Sequence, residues 1–164
     1  MQRVNISAVA TLALSLLLAC NPVSHETAQQ LFERTVREYH LPCADATGAQ
    51  REKLLTLAAS GYETVLKLGR NDPHLCAAAL RSLANVRVEQ GRLDEAVRLY
   101  ARVGLEYRAC DWEVLQAWKS AADVLWDTGR QSEAAAYYGK IVQRFSMDPS
   151  PIIQTVATAA RRRA

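Results

Sequence analysis

The chain has 164 residues, 49% of them hydrophobic and 7% aromatic, with 20 Lys plus Arg against 17 Asp plus Glu; this balance fits one small soluble domain and excludes a disordered or collagen-like chain. Seven glycines and five prolines are too few for the many turns of an all-β sandwich and point to a helical protein. The net charge of +3 is matched by Arg161, Arg162 and Arg163, so the rest of the chain carries no electrostatic footprint for a nucleic acid.

Residues Met1 to Ala19 open with Arg3, continue through an apolar stretch from Val9 to Leu18, and end in a small residue before Cys20. This is the pattern of a signal peptide. The run from Val4 to Ala19, interrupted by Asn5, Ser7, Thr11 and Ser15, is shorter than the ~20 residues that cross a bilayer. Leu17-Leu18-Ala19-Cys20 resembles a bacterial lipobox. That resemblance implies cleavage before Cys20 and a diacylglycerol on its sulfur, making Cys20 the lipid-attachment residue and 20–24 a lipid-anchored tether. An ordinary secretory cleavage site beside an incidental cysteine is the alternative. One acyl chain anchors marginally, at ~0.8 kcal/mol per buried methylene, whereas two or three hold a protein at a membrane. Asn21, where Asp would mark inner-membrane retention in enteric bacteria, favours the outer membrane facing the periplasm over the inner membrane.

From residue 25 to 147 the chain repeats itself. Gly91-Arg92-Leu93-Asp94-Glu95-Ala96 aligns with Gly129-Arg130-Gln131-Ser132-Glu133-Ala134 at an offset of 38 residues, and Tyr100 and Val103 align with Tyr138 and Ile141. Upstream, Leu80, Ala84 and Val88 align with Trp118, Ala122 and Trp126, and one offset earlier Ala58, Tyr62 and Val65 restate the pattern. A small residue, an aromatic four on and a β-branched residue three further form one stripe of a helix. Each unit is then a pair of antiparallel helices that buries its apolar face only by stacking on its neighbours.

Gly91, Ala96 and Tyr100, followed by Gly129, Ala134 and Tyr138, resemble the tetratricopeptide repeat (TPR) family, whose ~34-residue unit is here extended to 38. The predicted fold is all-α: an α-solenoid of about three TPR-like helix pairs. The first pair departs most, with a first helix near Glu26 to Leu41 and a longer loop from Pro42 to Gly48. Asp72 before Pro73 marks a helix start, and Asp148-Pro149-Ser150-Pro151 ends one helix and begins another. Residues 148–164 read as a C-terminal capping helix with Ile152, Ile153, Val156 and Ala160 turned inward. The total is seven helices.

No constellation for chemistry is present. The sequence has no phosphate-binding glycine loop and no nucleophile motif, and Asp94 and Glu95 lie at a helix start, where carboxylates suit the dipole. His40 with Cys43, and His74 with Cys76, offer two ligands apiece, short of a metal site. The expectation is therefore no enzyme, no cofactor and no metal. Of the three later cysteines, Cys76 and Cys110 fall near the starts of consecutive first helices, which suggests a Cys76 to Cys110 disulfide with Cys43 free.

What remains is a binding surface. In the TPR family the first helix of each repeat lines a concave groove, and the resemblance carries that role to Arg81, Asn85 and Val88 in one repeat and to Lys119, Asp123 and Trp126 in the next. Arg81, Asn85 and Lys119 resemble part of a clamp for a carboxyl terminus, from which Asp123 departs. Solvated surface residues are the alternative. Trp118 reads as core, and Trp126 as an interface anchor or as packing against the capping helix. The tyrosines read as core rather than as a platform for bases, and Arg161 to Arg163 either meet anionic lipid or solvate a helix end. The resulting expectation is a lipid-anchored adaptor or assembly factor that binds another envelope protein or peptide segment and no nucleic acid. The rivals are a small-ligand-binding or enzymatic envelope protein with a pocket near Pro42 to Gly48, and a purely structural spacer.

Overall fold

The structure, a computed structural model, describes residues 26–164. The expected signal peptide, Cys20 and the expected tether lie outside the described residues. Among the described residues seven α-helices follow one another: α1 (Ala28–Thr35), α2 (Gly48–Leu68), α3 (Pro73–Glu89), α4 (Leu93–Glu106), α5 (Asp111–Asp127), α6 (Gln131–Phe145) and α7 (Pro151–Arg161). Consecutive helices pack on each other, and α3 also touches α5 while α5 touches α7. The fold is thus a helical solenoid of three pairs closed by α7, with α3, α5 and α7 forming an inner layer.

The stripe read from the sequence is the core. Ala58, Tyr62, Val65, Ala96, Tyr100, Val103, Ala134, Tyr138 and Ile141 are all buried. Alanine at the crossing point lets the partner helix approach, and the tyrosine ring fills the space beside it. The turns repeat as faithfully. Gly91 and Gly129 adopt φ of 73° and 78°, the left-handed conformation that closes a helix with little penalty for glycine. At the first turn, Gly91 N–H donates to Val88 C=O at 2.9 Å and Arg92 N–H to Arg87 C=O at 2.8 Å. At the second, Gly129 N–H donates to Trp126 C=O at 3.0 Å and Arg130 N–H to Leu125 C=O at 2.8 Å. Both are Schellman closures built on the same positions of the repeat.

Asp72 caps α3, its carboxylate accepting from Leu75 N–H at 3.0 Å, with Pro73 in the first turn. Arg87, only 9% exposed, ties three helices together by donating to Glu63 at 3.0 Å and Glu95 at 2.8 Å. Two close crossings depend on glycine. A Cβ on Gly61 would run into the Thr35 side chain of α1, and one on Gly104 into the Trp118 indole of α5.

Three local expectations are corrected. The first helix does not run unbroken to Leu41. It changes at Val36–His40 into a π-helical turn and then into a 3-10 turn at Leu41–Ala44, so part of the expected loop is helical. Pro42 accounts for the end of the wider winding, because it has no N–H to continue a ladder. In α7, Ile152 is 64% exposed while Ala157 is buried with Ala160. The inward stripe is Ile153, Val156, Ala157 and Ala160, since Ile152 lies about 100° around the helix from Ile153. Finally, the Cys76 to Cys110 disulfide is not formed, and Cys43, Cys76 and Cys110 are free thiols. The Cys76 thiol instead donates to Gly69 C=O at 3.1 Å, and Cys110 occupies the residue before α5. Burial pushes all three thiols above their ordinary pKa.

Candidate functional site

The inner layer carries a groove of about 380 Å³ lined by His40, Asn85, Val88, Glu89, Tyr100, Ser120, Asp123 and Val124. Helices α3 and α5 supply its floor, because residues four apart on each helix point the same way. Three of the six groove residues expected from the sequence, Asn85, Val88 and Asp123, meet here. Asp123 also lines a second cavity of about 380 Å³ toward α7, with Lys119, Tyr138, Val156, Arg162 and Arg163 among its walls. Asp123 therefore joins the two.

Each repeat fixes its groove residue with a tyrosine from the paired helix. The Tyr100 hydroxyl donates to Asn85 Oδ1 at 2.6 Å, and the Tyr138 hydroxyl donates to Asp123 Oδ1 at 2.7 Å. Burial pushes the Tyr100 hydroxyl up to about 12. Tyr138 is raised as well, first by burial and then by its bond to Asp123. Both hydroxyls remain protonated donors at neutral pH.

The first pair closes the groove differently. His40 Nδ1 lies 2.7 Å from the Tyr62 hydroxyl, and His40 Nε2 lies 3.0 Å from Glu89 Oε1. A carboxylate only accepts, so in the neutral ring Nε2–H donates to Glu89 and Nδ1 accepts from Tyr62. Arg51 holds the other Glu89 oxygen at 2.8 Å. Tyr62 is fully buried and its hydroxyl is pushed up to about 12 by that burial.

The carboxylate clamp does not survive in this geometry. Arg81 Nε donates to Glu113 Oε2 at 2.5 Å, and Lys119 Nζ donates to Asp123 Oδ2 at 2.6 Å. Both cations that would meet a carboxyl terminus are thus already paired with carboxylates. Glu89 and Asp123 line the groove but are paired in turn, Glu89 with Arg51 and Asp123 with Lys119, so its walls are polar and offer no free cation to a carboxylate. Trp126 is half-buried, with its ring 6.4 Å from that of Tyr138, and Arg163 stacks over it at 5.1 Å. Trp118, read from the sequence as core, is half-buried at the edge of the core and packs against Phe145 with centroids 6.2 Å apart.

His40, Glu89, Tyr100, Ser120 and Val124 were not among the expected groove residues, nor were Tyr138 and Arg163 of the second cavity. The repeated fifteen-residue spacing of Tyr100 from Asn85 and of Tyr138 from Asp123 was a signal for the tyrosines. Nothing local in the sequence marks the others. Among the described residues, no helix is long and apolar enough to cross a membrane, and no group of three or more His, Cys, Asp or Glu could hold a metal. No protein-family model matches the chain, and no curated protein matches it.

Proposed function

We propose that this chain is a lipid-anchored protein of the bacterial cell envelope, similar to the TPR family, that holds a segment of another envelope protein along its concave face and catalyses nothing. The observation that carries this reading is the groove over α3 and α5, in which two successive repeats present a hydrogen-bonded polar side chain at equivalent positions. Polar groups at repeat spacing read an extended peptide backbone, and half-buried Val88 and Trp126 supply apolar area beside them. Two changes of assignment follow from the geometry. The groove offers polar walls to an extended segment rather than free cations to a carboxyl terminus, and its contact residues are Asn85, Val88, Asp123 and Trp126 rather than the paired Arg81 and Lys119.

Site-directed photocrosslinking in envelope fractions tests this. A photoreactive residue at Ser120, on the groove wall, is compared with one at exposed Arg98 on α4. One discrete adduct at Ser120 and none at Arg98 supports a groove partner. Adducts from Arg98 alone move the interface to the outer face, and no adduct from either position returns a spacer or small-ligand protein to consideration. The anchor is tested separately by labelling cells with an alkyne fatty acid, which tags the wild type and leaves Cys20→Ala unlabelled. Equal labelling of both would exclude Cys20 as the lipid carrier.

A further inference from the structure

The two best-defined repeats differ where they face the groove. Asp123 stands at the position of Asn85, and Trp126 at the position of Val88, while the tyrosine that donates to the first member of each pair is retained. A carboxylate and an indole thus occupy the places of an amide and an aliphatic side chain. Negative charge beside a π face is the combination that recognises a guanidinium.

A guanidinium is already there. Arg163, which follows α7, places Cζ 5.1 Å from the Trp126 ring centroid and 5.9 Å from that of Tyr138. Its Nη1 donates to the Tyr138 hydroxyl oxygen at 3.1 Å and lies 3.7 Å from Asp123 Oδ1. Tyr138 accepts from Arg163 while giving its own proton to Asp123, so the three groups polarise one another in series. The Trp126 and Tyr138 rings, inclined at 66°, form two walls of the cradle. Lys119 takes Asp123 Oδ2 and leaves Oδ1 to the guanidinium side. The Arg163 side chain is still 49% exposed, so it sits at the mouth, where another group can replace it.

We propose that Asp123, Trp126 and Tyr138 form an arginine-binding subsite of the groove, that Arg163 is its built-in occupant, and that an arginine side chain on the partner segment displaces it. The partner half of this rests on the groove being the protein-binding face. Asp123 lines both the cradle and the central groove, so an arginine entering the cradle is continuous with a segment lying across α3 and α5. Lysine matches the charge but lacks the flat guanidinium that stacks on the indole, so the subsite discriminates between the two. An internal occupant that fills the cradle about nine-tenths of the time lowers the affinity for a competitor about tenfold.

The test is a titration of the full chain with N-acetyl-arginine amide, followed by the indole N–H resonance of Trp126, which is assigned with Trp126→Phe. Arg163→Ala is expected to bind the amide about tenfold more tightly than wild type. Adding Asp123→Asn, which keeps an acceptor for Tyr138, should abolish that gain, and N-acetyl-lysine amide should bind several-fold more weakly. If removing Arg163 loosens α7, seen as lost helical circular dichroism, Arg163→Gln takes its place because it keeps a donor for Tyr138 without the charge. An unchanged titration in a folded Arg163 variant, or equal response to both amides, overturns the subsite. No partner is present in this experiment, so its failure sinks the cradle alone, whereas failure of the crosslinking at Ser120 sinks the protein-partner reading alone.

Discussion

The Tyr138 hydroxyl donates to the Asp123 carboxylate at 2.7 Å, which gives one side chain two tasks. Its ring belongs to the buried stripe that holds α6 on α5, and its hydroxyl reaches through to the wall of the groove. Tyr100 does the same for Asn85 at 2.6 Å. Packing of the outer helix therefore sets the position of a groove side chain on the inner one, and a shift of either helix is felt at the binding face.

Tyr100→Phe should separate those tasks. The ring still fills the core, but Asn85 loses its donor, and a lost hydrogen bond at a half-buried group costs about 1 kcal/mol. The urea midpoint should fall with the m-value unchanged. Tyr138→Phe should cost a similar amount and also loosen Arg163, read as a shift of the Trp126 indole resonance. A Tyr138→Phe spectrum that matches wild type at Trp126 would contradict the contact.

The glycines inside helices should not respond alike. Gly104→Ala drives a Cβ into the Trp118 indole and should destabilise by about 1–3 kcal/mol. Gly139 lies within α6 with open space around it, so Gly139→Ala should stabilise by up to about 1 kcal/mol through helix propensity. Thermal unfolding of the two variants side by side checks the opposite signs.

At the turns, Gly91→Ala and Gly129→Ala meet no steric obstacle and still must hold a positive φ. Each should lose about 1 kcal/mol from the left-handed conformation alone. Equal losses at the two sites, measured by denaturant unfolding, are the outcome that matching Schellman closures require.

Stability should decline in alkali from about pH 10 to pH 12. Burial pushes Tyr62 and Tyr100 up to about 12 in the folded chain, against an ordinary tyrosine value of about 10. The unfolded chain therefore loses these protons first. The stabilisation is fully present below pH 10 and is lost as pH rises to the folded value, at roughly 1.4 kcal/mol per pH unit for each tyrosine. Tyr62→Phe should reduce the slope of unfolding free energy between pH 10 and 12, and an unchanged slope would show that Tyr62 ionises normally.

The three buried thiols should be slow toward a thiol reagent in the native state, because burial both blocks access and raises their pKa. In denaturant without reductant, Cys43, Cys76 and Cys110 should all be alkylated, as peptide mass spectrometry would show. A Cys76 to Cys110 crosslinked peptide would show that these two thiols are oxidised to a disulfide in the native protein.

The helical class, the three helix pairs, the buried Ala/Tyr/Val stripe and the glycine turns were all legible in the amino-acid order. Each depends on a 3.6-residue period or on a local backbone conformation, and both are written within a few residues of one another. The side-chain pairings across the array were not. Arg81 meets Glu113 from 32 positions away, His40 meets Glu89 from 49, and Arg163 returns 25 positions to Tyr138. Repeat position alone placed Arg81 and Lys119 on a groove, but the neighbouring carboxylates decided that their charges were already spoken for. The winding of Val36–His40 and the inward turn of Ala157 in place of Ile152 were likewise settled by how one helix seats on the next. Local periodicity determines which face of a helix is apolar, whereas the angle and rotation at which packed helices meet determine which distant polar groups come within hydrogen-bonding reach.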